Sequence, residues 1–303
     1  MSIDLQHVIN SRIAVGLVSF LGRVIPPRIG YSICDLIAHW VATRRDSNLV
    51  QAVRVNQWMV RGANLEKEAL DKAVWETFRN SARNLYDLYH NIQSPEATQR
   101  MISLDPVTRG PVERPEFGDH GLVIVALHLS NFDLALQYMF RQGFKPMILT
   151  IPNPQGGRRV EYEMRRRTGM NLVPASVSAL WQAVKHLDRG GMVLTGLDRP
   201  VPNPKYCPGF FGRAASLPTD YIYLASKARV PVVIMAAIQQ ADGKCHVMTS
   251  EPIEIEDYPD NATANLRNAE KVLRRAEDFI RLAPQQWNMF LPVWPDMLEK
   301  VSS

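Results

Sequence analysis

Cysteine is scarce in this chain. Cys34, Cys207 and Cys245 are an odd three among 303 residues, which excludes a disulfide scaffold and reads as reduced thiols of a cytosolic compartment. Long hydrophobic runs are missing too. A spanning helix needs about 18–20 apolar residues in a row, and the longest charge-free stretch, 168–184, is broken by Asn171, Pro174 and several hydroxyls. The apolar piece Ile13 to Gly22 is closed by Arg12 and Arg23 with no small-residue cleavage site behind it, so it reads as neither a signal peptide nor an anchor. Net charge is small, 35 Lys and Arg against 30 Asp and Glu, while 46% of residues are hydrophobic. Disorder needs the opposite balance and is excluded. What remains is a folded protein long enough for one large domain or two small ones.

The charge that is present is unevenly placed. Arg141, Lys145, Arg158, Arg159, Arg165, Arg166 and Arg167 face only Glu161 and Glu163 over 141–167, whereas 251–260 holds five acids and no base. A local basic cluster attracts phosphates of a lipid headgroup, a cofactor or a nucleic acid, or is simply a solvated helix face. Nucleic acid fits least, because no aromatics are interleaved with the bases and no reading motif is visible.

The first hundred residues read as helices. From Asn64 onward, Leu70, Val74, Phe78, Leu85, Leu88, Tyr89 and Ile92 recur at helical spacing, with Asn64 as a plausible N-cap. Upstream, 13–22 and 31–43 read as two short apolar helices parted by Pro26-Pro27 and edged with arginine. Such helices lie in a membrane interface or pack on the rest of the protein. Near residue 104 the texture changes to alternating strands and helices. Strands are expected at 122–127, 146–151, 192–197, 230–238 and 246–249, with a turn at Asp242-Gly243. Helices are expected at 131–142, up to 168, at 177–187, at 218–228 and through 269–280. The alternation predicts an α/β fold, a sheet with helices on its faces, divided into a helical region 1–103 and an α/β core 104–303.

Two polar residues stand just past the C-terminal ends of expected strands, where open α/β sheets place their sites: His128 after 122–127 and Asp198 after 192–197. In His128-Leu-Ser-Asn-Phe-Asp133, Ser130 is a candidate cap for the next helix, which puts Asp133 on its first turn. A carboxylate there can bond one imidazole nitrogen and leave the other to act as a base. That is a nucleophilic triad whose hydroxyl comes from the substrate. Ser130-x-x-Asp133 is equally a capping-box variant with no chemistry. No Gly-x-Ser-x-Gly elbow is present, Gly156-Gly157-Arg158 lacks the spacing and the lysine of a P-loop, and the His and Cys residues show no metal-ligand spacing.

His128-x4-Asp133 behind an apolar strand resembles the bacterial glycerolipid and lipid A acyltransferase superfamily. The wider pattern extends the likeness over most of the chain: Asn153-Pro154, Arg165-x-Arg167-x-Gly169, a strand ending in Asp198, Pro208-Gly209-Phe210-Phe211-Gly212, Leu217-Pro218-Thr219, and Leu224-Ala225. These follow the order of the lipid A lauroyl acyltransferase group. The ending from Pro284 through Trp287 to Trp294 is more similar to the phosphatidylinositol mannoside acyltransferase branch, because Leu291-Pro292-Val293 stands where lipid A enzymes carry His-Arg-Arg.

The resemblance implies a glycerolipid acyltransferase-like mixed sheet flanked by helices, moving an acyl chain from acyl-CoA or acyl carrier protein to a hydroxyl of a membrane glycolipid. It makes His128 the base, Asp133 its orienting carboxylate and Asp198 a second acid facing the ring. It places Ser130, Asn131, Arg158, Arg165, Arg167, Arg199, Phe210, Phe211 and Gly212 near substrate, the arginines toward phosphates and the phenylalanines in an acyl tunnel wall or the core. No metal or redox cofactor is implied. The expected location is peripheral, on the cytoplasmic face of the cell membrane. A lysophospholipid acyltransferase, a non-catalytic lipid-binding protein and a thioesterase are the rival readings.

Overall fold

Leu122–Ala126 has apolar side chains on both faces of the strand, a composition stable only inside a sheet covered on both sides. In the computed structural model, which describes residues 22–106, 108, 121–154 and 157–301, this segment is strand β2. Its neighbours are β5 (Met192–Gly196) and β8 (Val232–Gln239), both parallel to it. With β1 (Ile102–Leu104), β3 (Met147–Thr150), β4 (Asn171–Pro174) and β9 (Cys245–Thr249) they form a seven-stranded mixed sheet in the order β1-β9-β8-β2-β5-β3-β4. Within this sheet β8 and β9 pair antiparallel and its other described pairs are parallel, β8 and β9 being joined through the expected turn at Asp242-Gly243. The edge strands β1 and β4 escaped the sequence reading because three or four residues are too few to show a period.

The alternation along β2 sends its side chains into two apolar cores. Leu122 and Ile124 belong to one core, with Leu134 and Met139 of α5 (Phe132–Arg141) and Phe144. Val123 and Val125 belong to the other core, with Ala183 of α7 (Val177–Leu187), Ile222 of α8 (Asp220–Ala228) and Leu273 of α9 (Asn261–Leu282). Between β3 and β4 runs the basic helix α6 (Gly157–Arg167).

Among the described residues the helices α1 (Pro27–Ala42), α2 (Asn48–Val60), α3 (Lys67–Asn91) and α4 (Pro95–Met101) precede the sheet. Pro27 starts α1, where a missing N–H costs nothing. The helix expected from Asn64 begins at Lys67 with Glu66 as an N-cap that makes no side-chain bond; positive φ at Gly62 and Ala63 turns the chain there instead. The helix expected at 13–22 lies outside the described residues, apart from Gly22. One face of α1 packs on α3, where a Cβ on Gly30 would collide with the Tyr86 ring and Tyr31 donates to Asp87 at 2.7 Å. The opposite face exposes Ile29, Ile33, Leu36 (70% accessible), Ile37 and Trp40 as one stripe, with Arg44 over the Trp40 ring. No helix among the described residues is long and apolar enough to cross a membrane.

The helical layer grips a chain segment that belongs to the far end of the sequence. Asn56 of α2, fully buried, donates to the carbonyls of Met289 (3.0 Å) and Leu291 (2.8 Å) and accepts from the Val293 N–H (3.1 Å). Gln57 donates to the Pro284 carbonyl and Asn80 of α3 to that of Gln285. Residues 284–293 are thus pinned from one side by helices.

Burial pushes the Asp87 carboxyl up from 3.8 to about 6, although the Tyr31 hydroxyl, His90 and Arg83 favour its charge. The folded state holds this proton more tightly than the unfolded state, so stability is lost as pH rises between those two values, on the order of 3 kcal/mol by neutral pH. Asp87→Asn keeps an oxygen for Tyr31 and is expected to stabilise the protein by ~1–3 kcal/mol at pH 8 and by clearly less at pH 4.5 in denaturant titrations. An equal gain at both pH values would contradict burial as the cause.

Candidate active site

β2 and β5 run parallel with Ala126 opposite Gly196, so the chain two residues beyond each pair partner leaves the same sheet edge side by side. There His128 and Asp198 meet. The imidazole Nδ1 lies 2.6 Å from Asp198 Oδ1, the His128 backbone N–H donates to Oδ2 at 2.9 Å, and the indole Nε1–H of Trp287 donates to Oδ2 at 2.7 Å. Asp198 is 0% accessible. Burial alone would push its carboxyl up, but the imidazole, the indole and the backbone N–H hold it below the ordinary carboxylate range. An ionised carboxylate only accepts, so Nδ1 must carry the proton that bonds Oδ1. In the neutral ring the lone pair is then on Nε2, which has no protein partner among the described residues, in a side chain 24% accessible.

The loop carrying His128 is held as firmly as a strand. Asn288 N–H donates to the His128 carbonyl (2.8 Å), Ser130 N–H to the Gln286 carbonyl (2.8 Å), and the Asn288 amide to the Ser130 carbonyl (2.7 Å). Leu129 and Trp287 form an antiparallel bridge. Held this way, Ser130 takes a left-handed backbone, φ 45°.

Asp133 does not orient the imidazole, contrary to the expectation from spacing. Helix α5 begins at Phe132, with Asn131 at the N-cap and no capping side chain, so Ser130 is not the cap. Consecutive helical residues point about 100° apart. Phe132 takes the side facing the histidine, its ring edge-on at 4.8 Å, and Asp133 is turned toward α6. There Asp133 Oδ1 accepts from Nε of Arg165 (2.8 Å) and from its Nη2. Burial pulls the Arg165 pKa down, but Asp133 and Glu161 outweigh it and leave it raised. The pair fastens α5 to α6 beside the histidine loop.

The other expected contacts divide. Ser130 and Asn131 are buried, and the Asn131 amide donates to the Asn84 carbonyl of α3 at 3.0 Å. Arg199 is half-buried next to Asp198, and Arg167 is exposed on α6. The side chain of Arg158 lies outside the described residues. Phe210 packs in the core, stacked on Trp294 (5.6 Å) and edge-on to Trp287 (6.2 Å). Phe211, at φ 48°, and Gly212, at φ 76°, turn the chain between β6 (Gly209–Phe210) and β7 (Arg213–Ala214). The Phe211 N–H donates to Glu277 at 2.6 Å, and Arg281 covers its ring. Sequence reasoning missed Trp287, Gln286 and Asn288, since no spacing ties them to His128. Among the described residues no three His, Cys, Asp or Glu side chains gather in a metal-binding arrangement.

Compared with known families, residues 4–295 match the family model described as bacterial lipid A biosynthesis acyltransferase. A search of curated proteins gives no match.

A direct proton NMR test separates the two carboxylates. The low-field imidazole Nδ1 proton of His128 is expected to persist in Asp133→Asn and to vanish or move strongly upfield in Asp198→Asn; the reverse pattern would overturn the pairing.

Proposed function

A match over nearly the whole length makes this chain a member of the bacterial lipid A biosynthesis acyltransferase family, and on that premise we propose that it transfers a fatty acyl chain from a thioester to a hydroxyl of a membrane glycolipid. The observation that carries this reading is the imidazole itself. Nδ1 is committed to an enclosed, ionised carboxylate, Nε2 is open, and among the described residues no serine, threonine or cysteine bonds to Nε2. A base so prepared acts on a hydroxyl brought by the substrate.

In the proposed step, His128 Nε2 takes the proton as the acceptor oxygen attacks the thioester carbonyl carbon. The new C–O ester bond forms, the C–S bond breaks, and the proton passes from the imidazolium to the departing thiolate. Asp198 keeps the ring in its working tautomer and stabilises the imidazolium. Arg165, aimed by Asp133, offers its remaining N–H groups to a phosphate of the headgroup or of the donor's phosphopantetheine arm, with Arg158, Arg167 and Arg199 as further candidates. The donor is acyl-CoA or acyl carrier protein, and the step needs no other cofactor. Leu291-Pro292-Val293, in place of the His-Arg-Arg of lipid A enzymes, favours a phosphatidylinositol mannoside-like acceptor. The exposed Ile29–Trp40 stripe, edged by Arg28 and Arg44, supports peripheral docking on the cytoplasmic face of the membrane.

The test uses purified wild type and His128→Ala with labelled palmitoyl-CoA or palmitoyl-acyl carrier protein and a total lipid extract, the products read by mass spectrometry. Wild type is expected to form an acylated lipid at a rate roughly 10²–10⁴-fold above the variant. Free fatty acid as the only product would convert the reading to a hydrolase. Equal rates in both proteins would remove His128 from the chemistry.

A further inference from the structure

The Asp198 carboxylate can rotate about its Cβ–Cγ bond, a torsion with a broad, soft well. Its bond to the imidazole alone would not fix the angle at which Oδ1 meets Nδ1. That angle is fixed from the other side. Oδ2 receives two N–H groups, one from the His128 backbone and one from Trp287 Nε1, and these come from opposite halves of the chain. The indole cannot drift relative to the histidine, because residues 286–288 and 128–130 share a ladder of backbone bonds. Its ring is wedged by Phe210, edge-on at 6.2 Å, and by Trp294 at 6.5 Å. An indole N–H can only donate, so it needs an acceptor, and the ionised Asp198 carboxylate is the one that faces it.

We propose that Trp287 is a positioning residue of the transfer reaction, its indole N–H locking the Asp198 carboxylate so that Oδ1 stays aligned with the His128 ring. The role rests on the reading of His128 as the base. Without the indole donor, Oδ2 keeps one N–H and the carboxylate gains freedom to swing away from the imidazole as it becomes charged. The loss therefore falls on the chemical step and not on substrate binding.

The protein contains its own control. Trp294 is as deeply buried and shares the aromatic cluster, yet its indole N–H has no hydrogen-bond partner among the described residues. Trp287→Phe and Trp294→Phe thus remove similar volume from one cluster, and only the first removes a bond. A charge-assisted hydrogen bond of this kind corresponds to a change of about 10–100-fold. With palmitoyl-CoA and the lipid extract, Trp287→Phe is expected to lower kcat by that factor with KM for the donor within about twofold of wild type, and Trp294→Phe to change kcat by less than about threefold. Equal losses in the two variants, or a loss confined to KM, would overturn the proposal. A second measurement needs no tryptophan variant: in Asp198→Asn the Trp287 indole proton resonance is expected to move upfield, and an unmoved resonance would equally overturn it. Wild type without any transferase activity would defeat the reading of His128 instead, and the resonance would still decide the bond.

Discussion

Three N–H groups converge on the Asp198 carboxylate, and the rest of the site depends on that convergence. A bare carboxylate with no solvent access would be neutral or displaced, because burial penalises its charge. Here the imidazole, a backbone N–H and an indole offset that penalty and keep it ionised. Its charge then fixes which imidazole nitrogen holds the proton and which is free. A tautomer, an orientation and a stabilising counter-charge for the imidazolium thus follow from one enclosed group.

That group is assembled from three distant parts of the chain. Parallel pairing of β2 with β5 brings His128 to Asp198. The 286–288 segment closes the third side with Trp287 and ties down the histidine loop through its backbone. The segment in turn hangs from Asn56, Gln57 and Asn80, so the N-terminal helices act on the site through buried side-chain bonds to backbone carbonyls. The N-terminal helices α2 and α3 and the sheet's site edge are thereby joined physically at the place where the chemistry is proposed. The outer face of α1 exposes its apolar stripe, while its inner face rests on α3 and its buried Asp87.

Much of this was legible in the residues. The unbroken apolar run of β2 identified a central strand, and polar residues at two strand ends marked His128 and Asp198 as neighbours of a site. The partner of His128 was misread because a carboxylate on the next turn of chain looks nearer than one 70 residues away. Helix geometry decides otherwise: the turn that begins at Phe132 gives the histidine an aromatic edge and sends Asp133 to Arg165. Ser130 failed as a cap for a related reason, its backbone having been drawn into the ladder with Gln286 and Asn288. Trp287 was illegible as anything but core, since an indole's single donor acquires meaning only when the fold sets an acceptor before it. The Phe210-Phe211-Gly212 motif, expected in an acyl tunnel wall or the core, forms a tight hairpin fastened to α9, with Phe210 packed against the tryptophan.

The central claim is that His128 and Asp198 act as one unit. A double-mutant cycle on acyl-transfer kcat tests it most directly. Asp198→Asn in the wild-type background is expected to cost roughly 10²–10⁴-fold, and in the His128→Ala background less than about threefold, because a carboxylate cannot orient a ring that is gone. Full multiplication of the two losses would contradict the account. So would a cycle in which Asp133→Asn, and not Asp198→Asn, loses its effect once His128 is removed.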